Sequence, residues 1–268
     1  MYDFLILVMS GALVGFLVGL TGVGGGSLMT PILLLLGYPP PVAIGTDLLY
    51  AAVTKGSGVV FHHQKDNVHW PTMALLAAGS IPFSLGISFF LSGGIHKDDG
   101  FGATMTSFLG LMLILTALVI ILQRQIQRRL NAAPPEGEFP AQYKAGLGQQ
   151  PVIFLTLFLG MILGICVTLT SVGAGAIGAS ILFLLYPSWK AATVVGTDIA
   201  HAVPLTAVAG IGYLLNGLVD LQLLVALLVG SIPGIYLGTQ LGSYFPDRVM
   251  RGILAVALVS LGIKFLLP

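Results

Sequence analysis

Charge is what this sequence has least of. Only 8% of its 268 residues are Asp, Glu, Lys or Arg, whereas a soluble domain carries about 25%. A globule of this length would still need a hydrated, charged surface, so the shortage excludes a cytoplasmic enzyme or a disordered regulator. A basic excess is missing too: 11 Lys+Arg stand against 10 Asp+Glu, net +1, which leaves no field to attract nucleic acid. Cysteine occurs once, at Cys166. That permits no internal disulfide and no cysteine metal cluster, and its apolar surroundings make it a small buried hydrophobe. No positively charged region precedes the first apolar stretch, which reads as a retained span rather than a cleaved leader. Without a Ser/His/Asp constellation, neither an enzyme nor a resident cofactor or metal is expected.

Apolar residues are abundant instead. They make up 56% of the chain, with 36 glycines and a mean hydropathy of +0.99, and so the protein is an all-α polytopic membrane protein. A hydrocarbon core of about 30 Å needs about 20 apolar residues in helical form. Stretches of that order run over 4–20, 41–61, 71–92, 102–122, 151–169, 191–214, 221–243 and 250–267. Two shorter ones, 27–37 and 176–186, read as broken or re-entrant segments. The polar stretch 123–150 divides the chain.

The two halves resemble each other. Thr21-Gly-Val-Gly-Gly-Gly26 is matched by Thr170-Ser-Val-Gly-Ala-Gly175, Gly45-Thr46-Asp47 by Gly196-Thr197-Asp198, and Gly79-Ser-Ile-Pro82 by Gly230-Ser-Ile-Pro233. This predicts an internal duplication: repeat 1 over 1–122, a cytoplasmic linker over 123–150 and repeat 2 over 151–268. Basic residues test the orientation. With five crossings per half, one side holds Lys65, Arg124, Arg128, Arg129, Lys144, Lys190, Arg248 and Arg251, and the other only Lys97 and Lys264. If the short segments do not cross, the bias falls to six against four. The positive-inside rule favours five plus five, so the repeats are inverted and both termini lie outside. Trp70 and Trp189 fit an interfacial belt on the basic side.

The glycine runs are the first candidate site. Small residues let a backbone unwind and approach a ligand, and the next helix start aims N–H groups at an anion. Gly24, Gly25, Gly26 and Ser27, with Gly173 and Gly175, are therefore substrate-binding candidates, close helix packing being the alternative. Asp47 and Asp198 read either as N-caps at helix starts or as groups that couple transport to a proton or cation. Lys55 lies eight residues beyond Asp47, deep in a span. Thr206 occupies the equivalent place in the second half, which makes Lys55 the leading candidate for anion recognition, against snorkelling or a structural ion pair. His201, one turn after Asp198, either serves the site or bonds a neighbouring helix. Thr46 and Thr197 offer hydroxyls to an oxyanion. His62, His63 and His69 lack metal-ligand spacing and read as a solvated loop.

Those motifs, with Leu28 and Pro31 after the first glycine run, resemble the sulfite exporter TauE/SafE family, also called toluene-sulfonate uptake permeases. The resemblance extends over essentially the whole chain, although the second glycine run is thinned by Ser171, Ala174 and Ala176. It implies a bacterial inner-membrane permease for small sulfur-containing anions such as sulfite, sulfoacetate or other organosulfonates. The expected mechanism is alternating access around a midplane site, with an anion channel, a carrier of another small anion, or a membrane scaffold as alternatives. Small-residue faces also permit a homodimer.

Overall fold

The computed structural model describes residues 2–21, 26–93, 99–131, 149–187, 189–242, 244 and 247–267. Those residues form helices and short connections, without a strand. The helices are α1 (Tyr2–Thr21), α2 (Gly26–Leu35), α3 (Pro40–Gln64), α4 (Trp70–Ser92) and α5 (Asp99–Asn131), then α6 (Gln149–Thr170), α7 (Ala176–Leu185), α8 (Ala191–Leu215), α9 (Leu221–Gly242) and α10 (Asp247–Leu266). Each apolar stretch of the sequence corresponds to one of them. Six contain segments long and apolar enough to cross a membrane: Trp70–Ser92, Gly100–Leu122, Val152–Thr170, Ala191–Leu215, Leu221–Leu241 and Val249–Leu266. At 1.5 Å per residue, α2 and α7 each reach only about 15 Å.

Two boundaries differ from the sequence reading. α5 continues through Asn131, nine residues into the expected linker, because Gln123 to Asn131 contains no Gly or Pro to stop it. The Gly-Thr-Asp motifs, moreover, do not open helices. α3 begins after Pro39, with proline at its first turn, and α8 begins after Lys190. Proline at the first helical position costs no hydrogen bond, so the helix starts there. Asp47 and Asp198 consequently lie about two turns inside their helices and cap neither of them.

Packing pairs helices from opposite halves: α1 with α9, α4 with α6, α3 with α8 and α5 with α10. Glycine sets the closest approaches. A Cβ on Gly11, Gly15 or Gly19 of α1 would collide with the backbone of Leu227, Ser231 or Ile235, and one on Gly230, Gly234 or Gly238 of α9 with that of Val8, Ala12 or Phe16. Numbers rise together along this pair, so α1 and α9 run parallel. α4 and α6 are likewise parallel, with Gly160 and Gly164 against the Leu76 and Ser80 backbone and Gly79 against Leu157. α3 and α8 run antiparallel: Gly45 meets Tyr213, Gly210 meets Leu49 and Gly58 meets Ile199. α5 and α10 are also antiparallel, through Gly110 against Leu266 and Gly262 against Ile114. Outward faces stay apolar, with Phe89 at 77%, Phe154 at 72% and Leu215 at 82% exposure, as lipid rather than water requires.

Backbone contact of this kind leaves no room for a side chain. Gly15→Leu should lower stability by at least ~1–3 kcal/mol, the usual overpacking cost. Gly86→Leu on α4, where an added Cβ meets nothing within 4 Å, should be near neutral. Thermal unfolding of the two variants in detergent checks this, and equal melting temperatures would contradict the packing.

Candidate functional site

The chain unwinds between α6 and α7. Ser171 has φ 58°, Gly173 φ 113° and Gly175 φ 131°, conformations that glycine adopts without a Cβ penalty. Thr170 holds the turn: its hydroxyl donates to Cys166 O at 2.7 Å and accepts from Val172 N at 3.1 Å. α7 follows Gly175 without a side-chain cap; Gly178 N donates back to Gly173 O at 3.2 Å, which leaves the amides of Ala176 and Ile177 for an acceptor.

Lys55 reaches this break from α3. Its Nζ donates to Ala174 O at 2.9 Å, and the ammonium lies within electrostatic reach of Asp198, Asp47 and His201. Among the described residues neither carboxylate makes a direct ion pair with it. The register of α3 against α8 orders these groups along the bundle. Asp47 is level with the last turns of α8, Asp198 is level with Gly58, and Lys55 lies between them, nearer to Asp198.

The two carboxylates are held differently. Asp47 Oδ2 accepts from Thr30 N at 3.2 Å and Thr30 Oγ1 at 2.5 Å, which ties α3 to α2. Its Oδ1 is buried without a hydrogen-bond partner, close to the Ser171 hydroxyl. Asp198, also buried, presses its carboxylate onto Gly178 of α7, where any Cβ would overlap it. The position equivalent to Thr30 is Ala179, so no hydroxyl reaches Asp198 from there. His201 Nε2 shares a hydrogen bond with Ser80 Oγ of α4 at 2.9 Å, while its Nδ1 is buried without a partner.

Thr46 and Thr197 lie apart from this cluster. Thr46 Oγ1 accepts from Asp220 N at 3.2 Å, and Thr197 Oγ1 from His69 N at 2.9 Å. Asp220 and His69 in turn cap α9 and α4, accepting from Leu223 N and Thr72 N. The preceding glycines fit the same loops, Gly45 against Leu218 O and Gly196 against Asn67 O. Each Gly-Thr pair is thus a joint with the opposite half. Gly26 and Ser27 are the first two residues of α2; Gly24 and Gly25 fall outside the described residues, as do Lys97 and Lys144. His63 packs edge-on to Trp70, and His69 against Trp189. No group of three metal-ligating side chains occurs among the described residues. A cavity of about 250 Å³ lined by Leu7, Gly37, Tyr38 and Pro39 lies elsewhere, at the start of α3.

Sequence reasoning missed Thr30, Ser80, Ser171 and Gly178. Ser80 was within reach, because it sits in the duplicated Gly-Ser-Ile-Pro motif, and a polar residue repeated inside a span asks for a partner. Ser171 stood in the second glycine run only as a departure from it, and nothing local marks Thr30 or Gly178, whose roles exist only through contacts with other helices.

Comparison with known proteins agrees with this architecture. The family model for sulfite exporter TauE/SafE matches residues 7–265. A probable membrane transporter protein of Bacillus subtilis, YjnA, is 37% identical over 97% of this chain and 98% of its own length. A second from that organism, YdhB, is 27% identical over 98% and 99% of the two chains. The probable membrane transporter MJ0441 of Methanocaldococcus jannaschii is 25% identical over 99% and 98%. No solved structure matches. A polytopic helical chain with its interior charges gathered at a helix break, matched over nearly its whole length, belongs to the sulfite exporter TauE/SafE family of membrane transporters.

Proposed function

We propose that the protein is a secondary carrier that moves small sulfur-containing anions, such as sulfite, sulfoacetate or other organosulfonates, across the bacterial inner membrane by alternating access. The observation that carries this reading is the Lys55 ammonium on the carbonyl of Ala174. It brings a cation from α3 to an unwound segment whose following helix start is uncapped. An ammonium and the first two amides of that helix, those of Ala176 and Ile177, together form a receptor for an oxyanion. Lys55 spends one of its three N–H groups on Ala174 and keeps the others for a ligand.

Inverted five-helix repeats, over 1–122 and 151–268, are supported by the registers. Were the halves oriented alike, α3 and α8 would run parallel, as would α5 and α10; both pairs run antiparallel. The reciprocal joints, Thr46 with Asp220 and Thr197 with His69, are what a two-fold axis in the membrane plane would generate. The bias of basic residues toward one side supports both termini lying outside the cell.

Lys55→Met should reduce uptake of sulfite and sulfoacetate into proteoliposomes by about 10- to 100-fold, the worth of a charged hydrogen bond, without changing elution on size exclusion. Unchanged uptake would remove Lys55 from anion recognition. For topology, Asp66→Cys and Lys190→Cys in a Cys166→Ala background should both be protected from an impermeant maleimide added to intact cells, while Gly217→Cys reacts. Opposite accessibility of positions 66 and 190 would mean that the short helices do not cross.

A further inference from the structure

Two carboxylates share one ammonium here, and that imbalance constrains how an anion can be carried. Among the described residues the charged and titratable groups around Asp198 are Lys55 and Asp47 of α3, His201 of its own helix, His62 of α3, whose Nδ1 lies against Gly196, and His69, whose backbone N–H donates to Thr197 Oγ1. α4 and α7 contain no titratable side chain and α6 only Cys166. On α3, Tyr50 lies near Asp47, and Tyr213 of α8 is engaged with Thr168 O at 3.0 Å. With both carboxylates ionised the cluster carries one net negative charge in a water-poor interior. An arriving anion adds to it, which a low dielectric makes costly.

We infer that each anion crosses together with a proton, and that Asp198 is the carboxylate that carries it; this rests on the anion site proposed above. Lys55 bonds the carbonyl of Ala174 rather than either carboxylate, so an anion that engages it competes with both carboxylates for its positive field. Along the register of α3 against α8, Lys55 lies fewer turns from Asp198 than from Asp47. Asp47 keeps the N–H and hydroxyl of Thr30 on its Oδ2 when Lys55 turns away. Asp198 has Ala179 where that hydroxyl would be and Gly178 packed against it. Left without Lys55, it becomes an uncompensated buried carboxylate and takes up a proton from the side on which the anion enters. The proton leaves on the other side, when the departing anion no longer screens Asp198 from the Lys55 ammonium. Anion and proton therefore favour each other's binding, and by linkage the effect is mutual.

The test uses the purified full-length protein in liposomes that hold a trapped pH dye, with radiolabelled sulfoacetate and sulfate, which are fully ionised at neutral pH, offered outside and protein-free vesicles subtracted. Uptake should acidify the lumen by about one proton per anion, and each unit fall in outside pH should raise uptake roughly tenfold while protons are limiting. In Asp198→Asn, lumen acidification should disappear, and the remaining exchange of labelled for unlabelled anion should lose its dependence on pH. Anion influx without acidification in the wild-type protein, or acidification that survives in Asp198→Asn, overturns the inference. Acidifying uptake of sulfate alone would sink the organosulfonate reading and leave the coupling standing.

Discussion

An ionised side chain inside a membrane helix costs at least ~2.5 kcal/mol on insertion, and this chain carries three close together: Asp47, Lys55 and Asp198. Much of the surrounding structure follows from keeping them tolerable. Lys55 needs an acceptor, and it finds one in Ala174 O where the chain between α6 and α7 unwinds. Unwinding requires the left-handed backbone at Gly173 and Gly175. It also shortens the helix that follows to ten residues. Asp198 needs room that only a glycine at 178 leaves. Asp47 needs donors, which fixes α2 against α3 through Thr30.

The frame around this centre is built by contact rather than by exclusion from water. Lipid is as apolar as leucine, so helices gain nothing by hiding leucine from it. Close backbone approach and interhelical hydrogen bonds take over, which accounts for the concentration of glycine on α1, α9, α4 and α6. It also accounts for serines and threonines that donate to their own helix, such as Thr116 to Met112 O and Thr206 to Ala202 O. Satisfied locally, these hydroxyls can lie in the membrane at little cost.

Much of this was legible in the sequence because membranes simplify the reading. Every apolar stretch became a helix, since length and hydropathy are nearly sufficient where backbone groups must bond within their own segment. Lys55, Asp47, Asp198 and His201 stood out because charge at depth is rare, and they do cluster. Thr46 and Thr197 were legible as polar but not as joints, for their partners Asp220 and His69 belong to the opposite half. The capping reading of Gly-Thr-Asp failed for a related reason. Glycine before Thr-Asp resembles a helix start, yet here it admits a crossing loop into the middle of a helix.

The glycine ladder between α1 and α9 also orders events during synthesis. α1 leaves the ribosome about two hundred residues before α9. From its insertion until α9 arrives, α1 must present Gly11, Gly15 and Gly19 to lipid with nothing to fill them. Insertion and tertiary folding are therefore separated in time for the first half of the chain. A premature stop before α9 would leave membrane-embedded helices whose most intimate partner never comes, open to pairing with the wrong chain.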